Sequence, residues 1–301
     1  MRRSRKDLFL GEILARHGYQ TYFLDTGNGR VYLQNEMLKG KFGELIDRKV
    51  LKARYTRQKD FGLSLDDSSL LKYFEEYLQG TSERFFFFFC PVFSHHPYDV
   101  PSDEFRLLPE GKDFDLYKNS LYYADWIIGR LYQLLEEYNK VNNTILIIVS
   151  DHGEAFYQHP YNYIHSIYLY QENVSTFCIF SNPLLFSAQV YRPLTRHVDI
   201  VPSLLDLLGI KPEPGTKLDG TSIFRPRWAR YAPFYTGLSD PYLGLRDGKW
   251  KYIINRMYDS QELYDLSLDP GETNNLARAH PDLCLIFKEA VLGLEQYINR
   301  P

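Results

Sequence analysis

Cysteine is scarce in this chain: three residues in 301, at Cys90, Cys178 and Cys284. An odd number so widely spaced offers neither zinc-ligand pairs nor a disulfide framework. Two of the three sit in apolar, strand-like runs, so buried free thiols are expected. Long apolar runs are missing as well. No stretch reaches the roughly 20 apolar residues of a membrane span. The basic start, Met1 to Lys6, is followed by an apolar segment too short and interrupted for a signal peptide. With neither signal nor span, the expected location is cytoplasmic if residue 1 is the true start. An excess of one charge is also lacking. With 35 Lys and Arg against 38 Asp and Glu, the net charge is -3, which leaves no basic footprint for nucleic acid. No internal repeat is visible. The sequons at Asn142 and Asn173 would matter only in a secreted protein.

Aromatic residues, by contrast, are plentiful, with 25 Tyr and 20 Phe. They suit thick buried strands or a carbohydrate-friendly surface, and composition does not choose between the two. Hydrophobic residues make up 44% of the chain, enough for a large core in one or two domains. Leu8 to His17 reads as a short helix that stops at Gly18. Tyr19 to Leu24 reads as a strand, followed by a Thr26-Gly27-Asn28-Gly29 loop. Ser69 to Leu78 reads as a second helix. The Phe85–Val92 run is continuously apolar, the pattern of a strand buried on both faces. Tyr117, Leu121, Ala124, Ile128, Leu131, Leu135 and Tyr138 mark one face of a long amphipathic helix. Thr144 to Val149 and Val174 to Phe180 are two further buried strands. Ile200 to Leu208 is a helix capped by Gly209.

Alternation of helices with apolar strands predicts an α/β core, residues 1–210, with a mainly parallel sheet flanked by helices. The character changes at Pro212, Pro214 and Gly215. Four short strand candidates follow: Phe234–Leu238, Leu243–Arg246, Trp250–Asn255 and Leu263–Leu266. An Asp247-Gly248 turn and a last helix, Pro281 to Ile298, complete a small antiparallel α+β subdomain over residues 211–301.

In an open parallel sheet, ligands bind beyond the carboxyl ends of the strands. Two histidine-bearing segments belong there. Ser150-Asp151-His152-Gly153-Glu154 follows the Thr144–Val149 strand. Neighbouring side chains alternate faces along a strand, so Asp151 and His152 converge only where it stops, and Gly153 permits that turn. A carboxylate beside an imidazole suits a divalent metal. A polar turn with Asp151 as a helix cap is the competing reading, and Glu154 is either a support for the site or an early helix residue. Ser94-His95-His96-Pro97-Tyr98 follows the Phe85–Val92 strand; imidazolium donors there would grip a phosphate or sulfate ester or protonate a leaving group. His159 and His165 lie further along. Either would serve as an anion ligand or proton donor, and His165 suits an aromatic-lined structural position almost as well. His197, just before a helix, reads as structural.

These residues resemble the sulfatase family of the alkaline phosphatase superfamily. Asp151-His152-Gly153-Glu154 is similar to its metal-binding strand end, and His95-His96-Pro97 to its His-x-Pro motif. Arg196 to Ile210 resembles its "DIxPTLLDLLGI" helix, and Asp219-Gly220-Thr221-Ser222-Ile223 the "DGxSL" after it. Glu262-Leu263-Tyr264-Asp265-Leu266 with Asp269-Pro270, Glu272 and Asn275-Leu276 resembles the closing "ELYDLxxDPxExxNL", and Gly18-Tyr19-Gln20-Thr21 the "GYxT" strand. The matches run in family order over nearly the whole chain. The early part, including Tyr117 to Tyr138, also resembles lipoteichoic acid synthase and related phosphoglycerol transferases.

The resemblance implies an alkaline phosphatase/sulfatase-like fold and metal-dependent hydrolysis of a sulfuric, or phosphoric, ester on a small molecule or glycan. It implies Asp151 and His152 as metal ligands, His95 as the substrate-binding or leaving-group histidine beside His96, and His159 or His165 as anion ligands. Calcium is the implied cation, with manganese or zinc equally suited to His152. The chain also departs from the family. No "CxPSR" nucleophile motif and no paired aspartates occur, and "GKWH" is replaced by Leu24-Asp25-Thr26-Gly27-Asn28. The expectation is an ester hydrolase whose nucleophile segment, and the first strand with it, precede this chain. The alternatives are a non-catalytic relative, oligomeric through the open sheet edge, and a phosphoglycerol or phosphoethanolamine transferase.

Overall fold

The structure, a computed structural model, describes residues 9–27, 34–61, 64–80, 83–109, 111–225, 231–236 and 242–298. Asn28 and Gly29 of the expected loop, and Gly237 and Leu238 of the expected strand, lie outside them. The chain forms two compact units: Met1–Ile145 with Asn182–Leu185 and Pro212–Lys217, and Leu146–Ser181 with Phe186–Lys211 and Leu218–Pro301.

The first unit is built on a three-stranded parallel sheet. Strand β1 (Gln20–Asp25) lies between β2 (Glu44–Ile46) and β3 (Phe85–Cys90). Helix α1 (Leu10–Arg16) precedes β1, and α2 (Gln34–Leu38) and α3 (Arg48–Arg54) flank β2. Neither β2, α2 nor α3 is foreseen from periodicity, because elements of three to seven residues hold too few repeats to register. Helix α4 (Ser68–Gly80) and the long α5 (Asp113–Glu137) follow the expected amphipathic patterns. The apolar face of α4 packs on the phenylalanine strand, and α5 packs against α4. Phe74 meets Phe85, Phe87 and Phe89 edge to face, and Tyr22 stacks on Phe87 at 4.5 Å. Such aromatic pairs add to simple area burial. Leu24, Leu51, Leu65 and Leu70 close the same core.

The buried-on-both-faces reading of β3 is only half met. Phe88 stays 46% exposed, because among the described residues β3 pairs with β1 alone.

In the second unit, β4 (Leu146–Val149) and β5 (Cys178–Ser181) pair antiparallel. The expected Val174–Phe180 strand is therefore shorter, since Gln171–Val174 forms a single helical turn, α6. Cys178 is exposed, not buried as the apolar run implies, because β5 has no second partner strand among the described residues. Cys284 is buried as expected. Helix α7 (Ile200–Leu207) ends at Gly209, whose φ of +67° is the left-handed conformation that glycine adopts freely. The C-terminal meander β6 (Tyr231–Tyr235), β7 (Tyr242–Asp247), β8 (Trp250–Asn255) and β9 (Ser260–Asp265) is antiparallel throughout. Helix α8 (Pro281–Ile298) covers it through Cys284, Phe287 and Val291. The fold is thus α/β with a C-terminal antiparallel sheet.

Candidate active site

Beyond β4 the chain makes a tight turn through Asp151, His152 and Gly153. Gly153 is needed there for space, not for an unusual φ. A Cβ on it would sit 2.2 Å from the carbonyl oxygen of Glu172, and its N–H donates to the Asn173 carbonyl at 2.9 Å. The turn is thereby pinned to α6, and Asp151 caps no helix. The Asp151 side chain is 87% exposed, and its Oδ2 lies 3.4 Å from His152 Nε2. His152 Nδ1 lies 2.8 Å from the Gly153 carbonyl oxygen, so Nδ1 carries a hydrogen.

His165 completes this cluster. Its ring stacks on His152 with centroids 3.9 Å apart and planes 19° from parallel. Nδ1 of His165 donates to Glu154 Oε2 at 3.0 Å. That bond raises the His165 pKa above the ordinary histidine value, against the opposing effect of burial, with the Glu154 and Asp151 charges assisting. Burial pushes the Glu154 carboxyl up, but the bond to His165, the His165 and His152 charges and the Ala155 N–H together outweigh it, and the net shift is downward. Glu154 is therefore a buried support, the first of the two roles open from sequence.

His159 does a different job. Its Nδ1 donates to Glu172 at 2.6 Å, its Nε2 approaches the Glu272 carbonyl at 3.2 Å, and its ring stacks on Tyr170 at 3.8 Å. Burial opposes its cation, yet the two acceptors raise its pKa overall. Both nitrogens are committed, so His159 fastens the loop. His197 is also structural in kind, with Nε2 2.8 Å from the Ser150 carbonyl. Next to His159 lies a pair that sequence reading missed. Lys251 and Glu272 are fully buried and 2.7 Å apart, and Gln171 N–H donates to Glu272 at 2.5 Å. The "DPxE" glutamate was the available signal, but nothing in the sequence named its lysine. Asn173 is buried with its amide bonded to Asn162 and the Ile164 carbonyl, so its sequon is inaccessible as it stands.

His95 and His96 are on the first unit, in the exposed turn after β3. Tyr98 N–H donates to the His95 carbonyl, and Tyr98 itself is buried at φ +63°. Asp67 anchors this turn. Its buried carboxylate accepts from Val92 N and Phe93 N at 3.1 Å and from the Thr26 hydroxyl. One acid thus ties the ends of β1 and β3 together. Burial pushes its carboxyl up to about 7, against the hydrogen bonds that pull it down.

The sulfatase family profile matches residues 2–210. The chain belongs to the sulfatase family. It is similar to arylsulfatase K of Rattus norvegicus, with 30% identity over 201 residues, 59% of this chain and 35% of that protein. The aligned part is thus about a third of the curated relative's length. By fold, it resembles a structure solved with its substrate D-glucosamine-2-N,6-O-disulfate, with TM-score 0.66 and 16% identity over 99% of this chain and 84% of that one. It also resembles the lipoteichoic acid synthase LtaP from Listeria monocytogenes, with TM-score 0.64 and 20% identity over 94% and 72%.

Among the described residues, no group of three or more His, Cys, Asp or Glu is arranged to hold a metal. Asp151 and His152 supply two donors, and the Nδ1–H···O=C bond of His152 is the usual support for a ligating imidazole. Two donors fall short of the three protein groups that a catalytic metal takes. The donor set present does not fit a resident cation by itself.

Proposed function

We propose that this sulfatase-family chain binds a sulfate monoester at the end of β4 and takes part in its hydrolysis. The observation that carries this reading is the His152–His165 stack with Glu154 behind it. A sulfate monoester offers a negative charge and acceptor oxygens. His165, whose pKa is raised by its bond to Glu154, is the proposed imidazolium donor to such an oxygen and the proton source for a departing alkoxide. His95 carries the His-x-Pro setting on the first unit, and no role at the end of β4 is assigned to it. Asp151 and His152 are the donors this chain would contribute to a divalent cation, calcium by family resemblance. No step is assigned to that ion, because the site is incomplete. The neighbour bound to a disulfated glucosamine supports a glycan sulfate as substrate. The likeness to LtaP makes a phosphodiester the competing one.

The test is an assay of the purified chain on aryl sulfate and aryl phosphodiester with added divalent metal, beside calorimetric binding of inorganic sulfate. The expected result is sulfate binding that falls in His165→Ala, with any turnover restricted to the sulfate ester and lost in Asp151→Ala and His152→Ala. Preference for the phosphodiester, or sulfate binding indifferent to His165→Ala, would overturn the reading.

A further inference from the structure

The loop that joins Glu154 to His165 carries three solvent-facing tyrosines that the ester chemistry does not use. Tyr157, Tyr161 and Tyr163 are 70%, 80% and 49% exposed. Tyr157 and Tyr163 lie nearly parallel, 5.8 Å apart centre to centre and 23° between planes. Large aromatic rings left in water on a floppy loop would be unremarkable, but this loop is held. Tyr157 and Tyr161 adopt left-handed backbone angles, φ +63° and +65°, which non-glycine residues populate only when their surroundings impose them. The imposing group is Asn162, wholly buried. Its backbone closes the turn by accepting from Tyr157 N–H at 2.7 Å and donating to the His159 carbonyl. Its amide donates to Glu172 and Asn173 at 2.8 and 2.7 Å. Asn173 in turn accepts from Gly153 N–H and donates to the Ile164 carbonyl. One buried polar hub therefore fixes both the histidine turn and the tyrosine turn.

Tyr163 stands two residues before His165, and Tyr157 three after Glu154, so both rings lie on the segment that joins the two stacked histidines. Resting on the sulfate-monoester reading above, the geometry points to Tyr157 and Tyr163 as a platform for the alcohol part of the ester, a pyranose ring, with Tyr161 at its margin. A pyranose has an apolar C–H face that packs on an aromatic ring, and hydroxyl edges that match tyrosine O–H groups. A ring backed by a fixed scaffold binds without the ordering cost a mobile loop would carry.

The experiment measures binding of D-glucosamine 6-sulfate, ethyl sulfate and an aryl sulfate to the full chain by calorimetry. Variants are Tyr157→Ala/Tyr163→Ala, Tyr157→Phe/Tyr163→Phe and His165→Ala, each checked for fold by circular dichroism. Exposed side chains are replaced, so folding should be preserved. The double alanine variant should weaken the sugar sulfate roughly tenfold and leave ethyl sulfate unchanged. The double phenylalanine variant should keep most of the sugar affinity, and His165→Ala should weaken all three probes. Sugar affinity unaffected by the alanines, or ethyl sulfate lost in parallel with it, overturns the platform. So does an aryl sulfate bound more tightly than the sugar. If the alanines act as expected but His165→Ala changes nothing, the platform stands and the sulfate reading falls. If wild type binds no probe, both fall.

Discussion

The Lys251–Glu272 pair allows a sharp test of what holds the histidine loop in place. Both side chains are fully buried and 2.7 Å apart. Burial lowers the lysine pKa to about 8 despite the nearby glutamate, and burial raises the glutamate despite the lysine. Each shift says that desolvation outweighs the attraction, so the pair is held at a net cost. Removing one partner should then be worse than removing both. Lys251→Met leaves a carboxylate buried with Gln171 N–H and the His159 charge as its compensation, a loss of about 3–5 kcal/mol. Glu272→Met strands the ammonium with the Gln171 side-chain oxygen at 3.2 Å and should cost a similar amount. The double variant buries no charge. Its remaining defects are the Gln171 N–H without its acceptor, about 1–3 kcal/mol, and the half-buried Gln171 side-chain oxygen without its lysine donor. Urea unfolding followed by circular dichroism, with matched slopes, reads all four proteins. The double variant should be more stable than either single one, a coupling of several kcal/mol. Additive losses would refute the reasoning, as would a Lys251→Met loss below about 1 kcal/mol. The linkage has a sign as well. Because the folded lysine titrates at about 8 and the unfolded one near 10.4, the unfolded chain binds more protons between those values. This group's contribution to stability should therefore rise with pH across that window.

Three further outcomes are expected. Glu154→Gln removes the group that raises the His165 pKa, so the loss of sulfate affinity with rising pH should move to lower pH. Titration of the His165 imidazole by NMR checks this, and an unmoved midpoint would exclude the Glu154 link. Gly153→Ala drives a methyl group to 2.2 Å from a backbone oxygen, so it should destabilise by about 1–3 kcal/mol or more and lower protection of loop amides in hydrogen exchange. A variant that exchanges like wild type would show that the turn yields freely. Asp67 is shifted upward, to about 7. Its contribution should be fully present below about pH 4 and lost as pH rises through 7, a trend that Asp67→Asn should flatten in pH-dependent unfolding.

Much of the fold is legible in the residues themselves. The +4, +3 pattern of Tyr117 to Leu135 shows helix α5, and the short apolar runs Phe85–Cys90 and Leu146–Val149 show strands. The motif order from Gly18 to Leu276 shows the family. Other features are legible only in part. Gly153 reads as a turn residue, whereas its work is to let a remote carbonyl approach. Asn173 shows in sequence only as part of a sequon, whereas it ties two turns together. Cys178 reads as buried because apolar runs usually are, but a strand paired on one side leaves its start in water.

His159 and His165 show where the limit lies. From sequence they are interchangeable, two histidines on a tyrosine-rich loop. Tertiary contacts separate them: His165 bonds Glu154 and stacks on His152, while Glu172 and the Glu272 carbonyl use both edges of His159. Hydrophobic period, turn residues and motif order are properties of neighbouring residues, and so the sequence alone determined the element types and the family. The role of each ionisable group depends on partners up to 113 positions away and on burial, and these only the tertiary structure decided.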